Sequence, residues 1–196
     1  MSGAEKRRFP RIKIPEGYSA QVIWPNHETS EISDVSFKGL AAVLPGLFDP
    51  KIHKSLDLQI RLGKAPAFPV SATVIWRSQE MAGLMFPELP VEGHQELGDF
   101  LQSQLAAMAL KKVDARFYNP RETFNQWYQA PGIDIFVWLN EAQAVETVEL
   151  RADEINIKLG RGRKNPAFSD KAMLIVAQLG RLEPAIAEFL RTLEGR

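Results

Sequence analysis

From Tyr18 onward, apolar and polar residues alternate in short runs cut apart by turn-forming residues. Tyr18 to Trp24 alternates loosely and stops at Pro25-Asn26. Thr29 to Val35 is a second run, and Gly39 to Leu44 is a short apolar one closed by Pro45-Gly46. The clearest period of two sets Leu56, Leu58, Ile60 and Leu62 against Asp57, Gln59 and Arg61, so one strand face is aliphatic and the other polar. Val70 to Arg77 and Met81 to Phe86 follow, separated by a polar turn. Six short strands at this spacing predict a small antiparallel barrel or sandwich. The period then changes. Leu97, Phe100, Leu101, Leu105 and Met108 make one apolar stripe on a helix over about 93–112. That stripe needs a surface to cover, and the barrel is the nearest one.

Beyond the helix the pattern differs again. Residues 114–132 read as an irregular aromatic linker containing Phe117, Tyr118, Phe124, Trp127 and Tyr128, with Pro120 and Pro131. Ile133 to Leu139, Val145 to Arg151 and Glu154 to Leu159 predict three strands. A basic loop, Arg161-Gly162-Arg163-Lys164, leads to helices near 169–179 and 183–194. Ser169 suits the N-cap of the first, and Pro184 the first turn of the second. Residues 1–16, basic and interrupted by Pro10 and Pro15, read as a flexible extended arm. The expected organisation is an arm over 1–16, a barrel with its closing helix over 17–113, the linker over 114–132, and a small α+β part in βββαα order over 133–196. There is no internal repeat.

Composition narrows the chemistry. The 196 residues carry 24 Lys and Arg against 24 Asp and Glu, a net charge of zero, which argues against a general nucleic-acid binder. The absence of Cys excludes disulfides, a thiol nucleophile, thiolate zinc sites and iron–sulfur clusters. No run approaches the roughly 18 apolar residues of a membrane span. The basic N-terminus is not followed by the apolar segment of a signal peptide. A cytoplasmic protein without membrane attachment is the expectation.

Two short clusters carry candidate chemistry. Arg7-Arg8-Phe9-Pro10-Arg11 offers planar, permanently charged guanidinium groups that pair with phosphate or with the O6/N7 edge of guanine. Asp34-Val35-Ser36-Phe37-Lys38-Gly39 offers a carboxylate that can accept from N1–H and the exocyclic amine of guanine. Its hydroxyl and its glycine add a further polar contact and a position for positive φ or close backbone approach. Each alone has an ordinary reading, as a solvated basic tail or as an Asp/Ser/Gly turn. Together they supply what a guanine nucleotide with phosphates requires.

The sequence closely resembles the PilZ domain family over about residues 5–112. Arg7-x-x-x-Arg11 and Asp34-x-Ser36-x-x-Gly39 match the family's two binding motifs, and Val74-Ile75-Trp76-Arg77 with Gly83-Leu84-Met85-Phe86 matches its closing strand pair. The resemblance implies a six-stranded antiparallel barrel with a C-terminal helix that binds cyclic di-GMP, a bacterial second messenger. It implies that Arg7 and Arg11 hold phosphates and guanine edges, Asp34 and Ser36 bond guanine, Gly39 shapes the loop, and Arg8 supports. The expected function is a non-enzymatic cyclic di-GMP receptor. Its arm orders on binding, and its C-terminal part signals or recruits a protein partner. The rival is a PilZ-shaped adaptor that binds no nucleotide, with Arg7 and Arg11 paired to surface carboxylates. A second rival uses the basic arm and the 158–164 loop on nucleic acid. No family resemblance extends to residues 113–196.

Other polar groups lack a constellation. His27, His53 and His94 have no metal-ligand spacing. Asp153 and Glu154 are adjacent and so face opposite sides of a strand. Ser36 has no histidine nearby in sequence. The 160–164 loop lacks Walker spacing. The aromatic residues of the linker suit either a stacking surface or a seal between the two parts.

Overall fold

A computed structural model describes residues 10–46, 48–119, 124–153, 155–160 and 169–194. Arg7, Arg8 and the Arg161–Lys164 loop lie outside these residues. The chain divides into two compact units, residues 1–101 and 102–196.

The first unit contains β1 (Ile12–Lys13), β2 (Ala20–Ile23), β3 (Thr29–Ser36), β4 (Gly39–Val43), β5 (Ser55–Leu62), β6 (Phe68–Arg77) and β7 (Met81–Met85). Six strands close an antiparallel barrel in the order β3-β2-β5-β6-β7-β4, with β4 returning to β3. The alternation in β5 behaves as the pattern requires. Leu58, Ile60 and Leu62 are buried, while Asp57, Gln59 and Arg61 are exposed. Each fully buried aliphatic side chain contributes roughly 1.5–3 kcal/mol of transfer free energy, which is why the phase of this strand is unambiguous.

Part of the expected arm is a strand. Ile12 pairs with Val35 and Lys13 with Asp34, so β1 continues the sheet on β3 where β2 leaves off. Ile12 is buried, and its apolar side chain anchors the strand.

The helix α1 (Val91–Met108) covers the barrel through Leu97, Phe100 and Leu101, all buried. The rings of Tyr18 and Phe100 lie 5.2 Å apart. The expected stripe is only partly correct. Leu105 and Met108 are 48% and 58% exposed, whereas Gln104 and Ala107 are buried. The buried face shifts because the first unit ends at Leu101 and Ala107 joins the core of the second.

That second unit contains β8 (Lys111–Lys112), β9 (Gln126–Ala130), β10 (Ile133–Leu139), β11 (Val145–Ala152) and β12 (Ile155–Gly160), followed by α2 (Asp170–Leu182) and α3 (Pro184–Glu194). The strands form one antiparallel sheet in the order β12-β11-β10-β9-β8. The expected βββαα order therefore omits two strands. One of them, β9, lies in the stretch read as irregular. Its Tyr128 and Ala130 are buried, and Gly132 at φ 72° turns the chain into β10. Asp153 sits in a turn at φ 47° rather than on a strand, and Glu154 is outside the described residues. Ser169 caps α2 by accepting from the Ala172 N–H, and Pro184 opens α3. Ile135, Val137, Val148 and Leu150 share a core with Ile175, Leu179, Ile186 and Phe189 of the two helices.

Candidate functional site

Two β-bulges decide which side chains leave the barrel on its outer face. Along β3, Ile32 pairs with Ala42 but Asp34 pairs with Ala41, so Ser33 is an extra residue. Ile32 and Val35 are both buried. Without the extra residue, Asp34 would share a face with Ile32 and point into the core. Along β6, Val74 pairs with Leu84 but Trp76 pairs with Gly83, leaving Ile75 as the extra residue. Trp76 is consequently 40% exposed two positions after the buried Val74.

The bulges align a row across four strands. Asp34 pairs with Ala41, Ala41 with Gly83, and Gly83 with Trp76. At ~4.8 Å per interstrand step the row runs for roughly 14 Å. Its ends are a carboxylate and an indole, and its middle is two small residues. A Cβ at Gly83 would overlap Nε1, Cε2 and Cδ1 of Trp76, so the missing side chain is what lets the indole lie across β7. Met85 and Val43, exposed on the same middle strands β7 and β4 two residues from the row, add apolar surface.

The arm meets this row at Asp34. Arg11 Nη1 donates to Asp34 Oδ1 at 2.8 Å, with the two side chains 29% and 24% exposed. The β1–β3 register makes the contact: Lys13 is the Cα partner of Asp34, and Arg11 emerges on the same side of the buried Ile12.

Ser36 is 5% exposed, and its hydroxyl donates to the Gly39 carbonyl at 3.1 Å while accepting from the Lys38 N–H at 3.4 Å. The hydroxyl thus closes the Phe37-Lys38 turn from within. Gly39 serves close approach, not positive φ. A Cβ there would collide with the Leu84 carbonyl oxygen on β7. The structure therefore brings Arg11, Asp34, Ser36 and Gly39 to one corner. Trp76 received no role from sequence, although the Ile32-x-x-Val35 and Val74-Ile75-Trp76 patterns break a period of two and signal the bulges.

The aromatic candidates are distributed differently. Tyr128 is in the core of the second unit and Phe117 is 76% exposed. Trp127 belongs to a ring cluster with Tyr118, Phe124, Phe136 and Trp138. Phe136 and Trp138 alternate with the core residues Ile135 and Val137, so this cluster lies on the sheet face away from α2 and α3. Arg151 and Lys158 sit over Phe136 and Trp138, at 5.0 and 4.6 Å from the ring centroids. Both cations pair with Glu149. Among the described residues no cluster of three or more His, Asp or Glu could hold a metal ion. No helix there is long and apolar enough to cross a membrane.

The PilZ domain family model matches residues 5–103, half of the chain, and the chain belongs to that family. Similar solved structures include the PilZ domain of YcgR from Escherichia coli with c-di-GMP. It is 18% identical, at 50% coverage of this chain and 91% of that one, with a TM-score of 0.42. The crystal structure of YcgR in complex with c-di-GMP from the same organism is 20% identical, at 50% and 45% coverage, with a TM-score of 0.40. An uncharacterised Legionella protein is 19% identical, at 47% and 90% coverage, with a TM-score of 0.37. No curated protein matches the chain.

Proposed function

We propose that the protein is a non-enzymatic, cytoplasmic receptor for cyclic di-GMP. The observation that carries this reading is the 2.8 Å contact between Arg11 and Asp34, in a chain of the PilZ family whose two binding motifs are intact. An arm that supplies guanidinium donors ends at the carboxylate that accepts from the Watson–Crick edge of guanine. On this reading Asp34 takes N1–H and the exocyclic amine of one guanine. Arg7, Arg8 and Arg11 take the phosphates and the O6/N7 edge. Ser36 and Gly39 hold the corner in shape. The exposed Trp76 indole, three strand steps away in the same row, offers a stacking face for a base. Each charge-assisted bond supplies roughly 1.5–3 kcal/mol. That gain is set against about 1–2 kcal/mol for each arm residue that becomes ordered. The near balance makes arm ordering responsive to ligand concentration, and the C-terminal unit is the candidate recruiter of a protein partner.

The same ion pair also fits the rival reading, an adaptor in which Arg11 is permanently held by Asp34 and no nucleotide binds. Titration calorimetry of the full chain with cyclic di-GMP separates the two. Saturable heat with defined stoichiometry is expected from the receptor, and the absence of heat contradicts it and favours the adaptor.

A further inference from the structure

Resting on the receptor reading, we infer that Lys13 is an additional ligand-binding residue that takes a phosphate of the bound nucleotide. Neither binding motif contains it. Its position follows from β1. Ile12 is buried, so Arg11 and Lys13 both leave the strand on the outer side, and Lys13 stands directly across from Asp34 in the antiparallel register. Arg11 and Asp34 satisfy one another. Lys13 is exposed and forms no ion pair with any described residue. Across the β1–β3 pair Arg11 and Lys13 thus stand with one carboxylate, and Arg11 is the cation paired to it.

That arrangement has a consequence for binding. A guanine edge donates to both oxygens of Asp34, so the base and Arg11 compete for or share Oδ1 when the ligand arrives. Lys13 occupies the strand position paired with that carboxylate. Its ammonium, a compact charge on a flexible stem, can reach a phosphate beside the base without the planar alignment a guanidinium requires. A dianionic ligand entering this corner thus meets a cation that no carboxylate among the described residues has already neutralised.

The test is calorimetric titration of wild-type, Lys13→Met and Lys13→Arg proteins with cyclic di-GMP across a salt series. Lys111→Met, on a strand of the second unit, serves as control. Lys13→Met is expected to weaken binding by about fivefold at low salt and to make the affinity less salt-dependent. Lys13→Arg should restore most of both, and Lys111→Met should change neither. Thermal unfolding of each variant checks that the barrel is intact, as expected for an exposed position. Affinity and salt dependence unchanged in Lys13→Met overturn the inference while leaving the receptor reading in place. A wild-type protein that gives no heat overturns both.

Discussion

The indole of Trp76 lies across Gly83 on the neighbouring strand, in the space a side chain at position 83 would fill. Gly83→Ala must therefore push the ring aside or part β6 from β7. Overpacking of this kind costs about 1–3 kcal/mol. A lower thermal midpoint is expected, with a change in tryptophan emission that is lost on a Trp76→Phe background. If Trp76 stacks on a base, affinity for cyclic di-GMP falls too, although position 83 itself carries no side chain toward the ligand. Unchanged emission in Gly83→Ala would show that the ring does not rest there.

Arg11 and Asp34 make a contrasting pair of predictions for stability and binding. Their side chains are 29% and 24% exposed, so solvent screening limits the ion pair to about 1 kcal/mol of stability or less. Arg11→Ala and Asp34→Ala should each unfold within a few degrees of wild type. Each should nevertheless lower nucleotide affinity by about tenfold or more, because the lost bonds to ligand are charge-assisted. Ser36→Ala should act mildly and through the turn, since its hydroxyl bonds the Gly39 carbonyl. Full affinity in an Arg11/Asp34 double alanine variant contradicts the receptor reading.

Tyr128 makes the second unit sensitive to alkali. Its hydroxyl lies 2.9 Å from Gln126 Oε1 and 3.0 Å from Glu183 Oε2, with Lys112 3.6 Å from the same Glu183 oxygen. Burial pushes the phenol well above its ordinary value of 10.0, and the hydrogen bond to Glu183, its negative charge and Tyr118 push the same way. The folded state therefore keeps this proton where the unfolded chain gives it up. The resulting stability is complete below about pH 10 and is lost as pH rises further. Denaturant titrations at increasing alkaline pH should show that decline, and Tyr128→Phe should flatten it while costing about 1 kcal/mol near neutrality. Equal alkaline slopes for the two proteins would falsify the assignment.

Gln104 is a site where stability can be gained. It is 3% exposed on α1, and its Nε2 has no hydrogen-bond partner among the described residues. A buried amide without an acceptor costs roughly 1–3 kcal/mol, so Gln104→Met, similar in volume and apolar, should raise the denaturant midpoint by about 1 kcal/mol equivalent. A destabilised variant would mean the amide has a partner in solution.

The barrel was largely legible because its strands obey one rule. In β5 every second residue is aliphatic, and a slip by one residue would place Leu58, Ile60 and Leu62 in water. The second unit was less legible for two reasons. Tyr128 and Ala130 alternate with Trp127 and Gln129, but aromatic side chains on both faces of β9 hide the period. The strand β8 is only Lys111-Lys112, both exposed, and exists because β9 offers it backbone partners. On α1, Leu105 and Met108 satisfied the helical period yet remain exposed, because the partner surface changes along the helix.

Residue type and spacing along the chain were enough to name candidate chemistry for the site. Arginines four apart and an Asp-x-Ser-x-x-Gly corner name the donors and acceptors whatever the fold. Whether those groups meet depended on the folded barrel. The single extra residues at Ser33 and Ile75 turn Asp34 and Trp76 outward, and the pairing of Lys13 with Asp34 brings Arg11 to the carboxylate. A local break in the period of two marks each bulge, but which residues then meet rests on hydrogen-bond registers between strands distant in sequence, which close only when the whole sheet does.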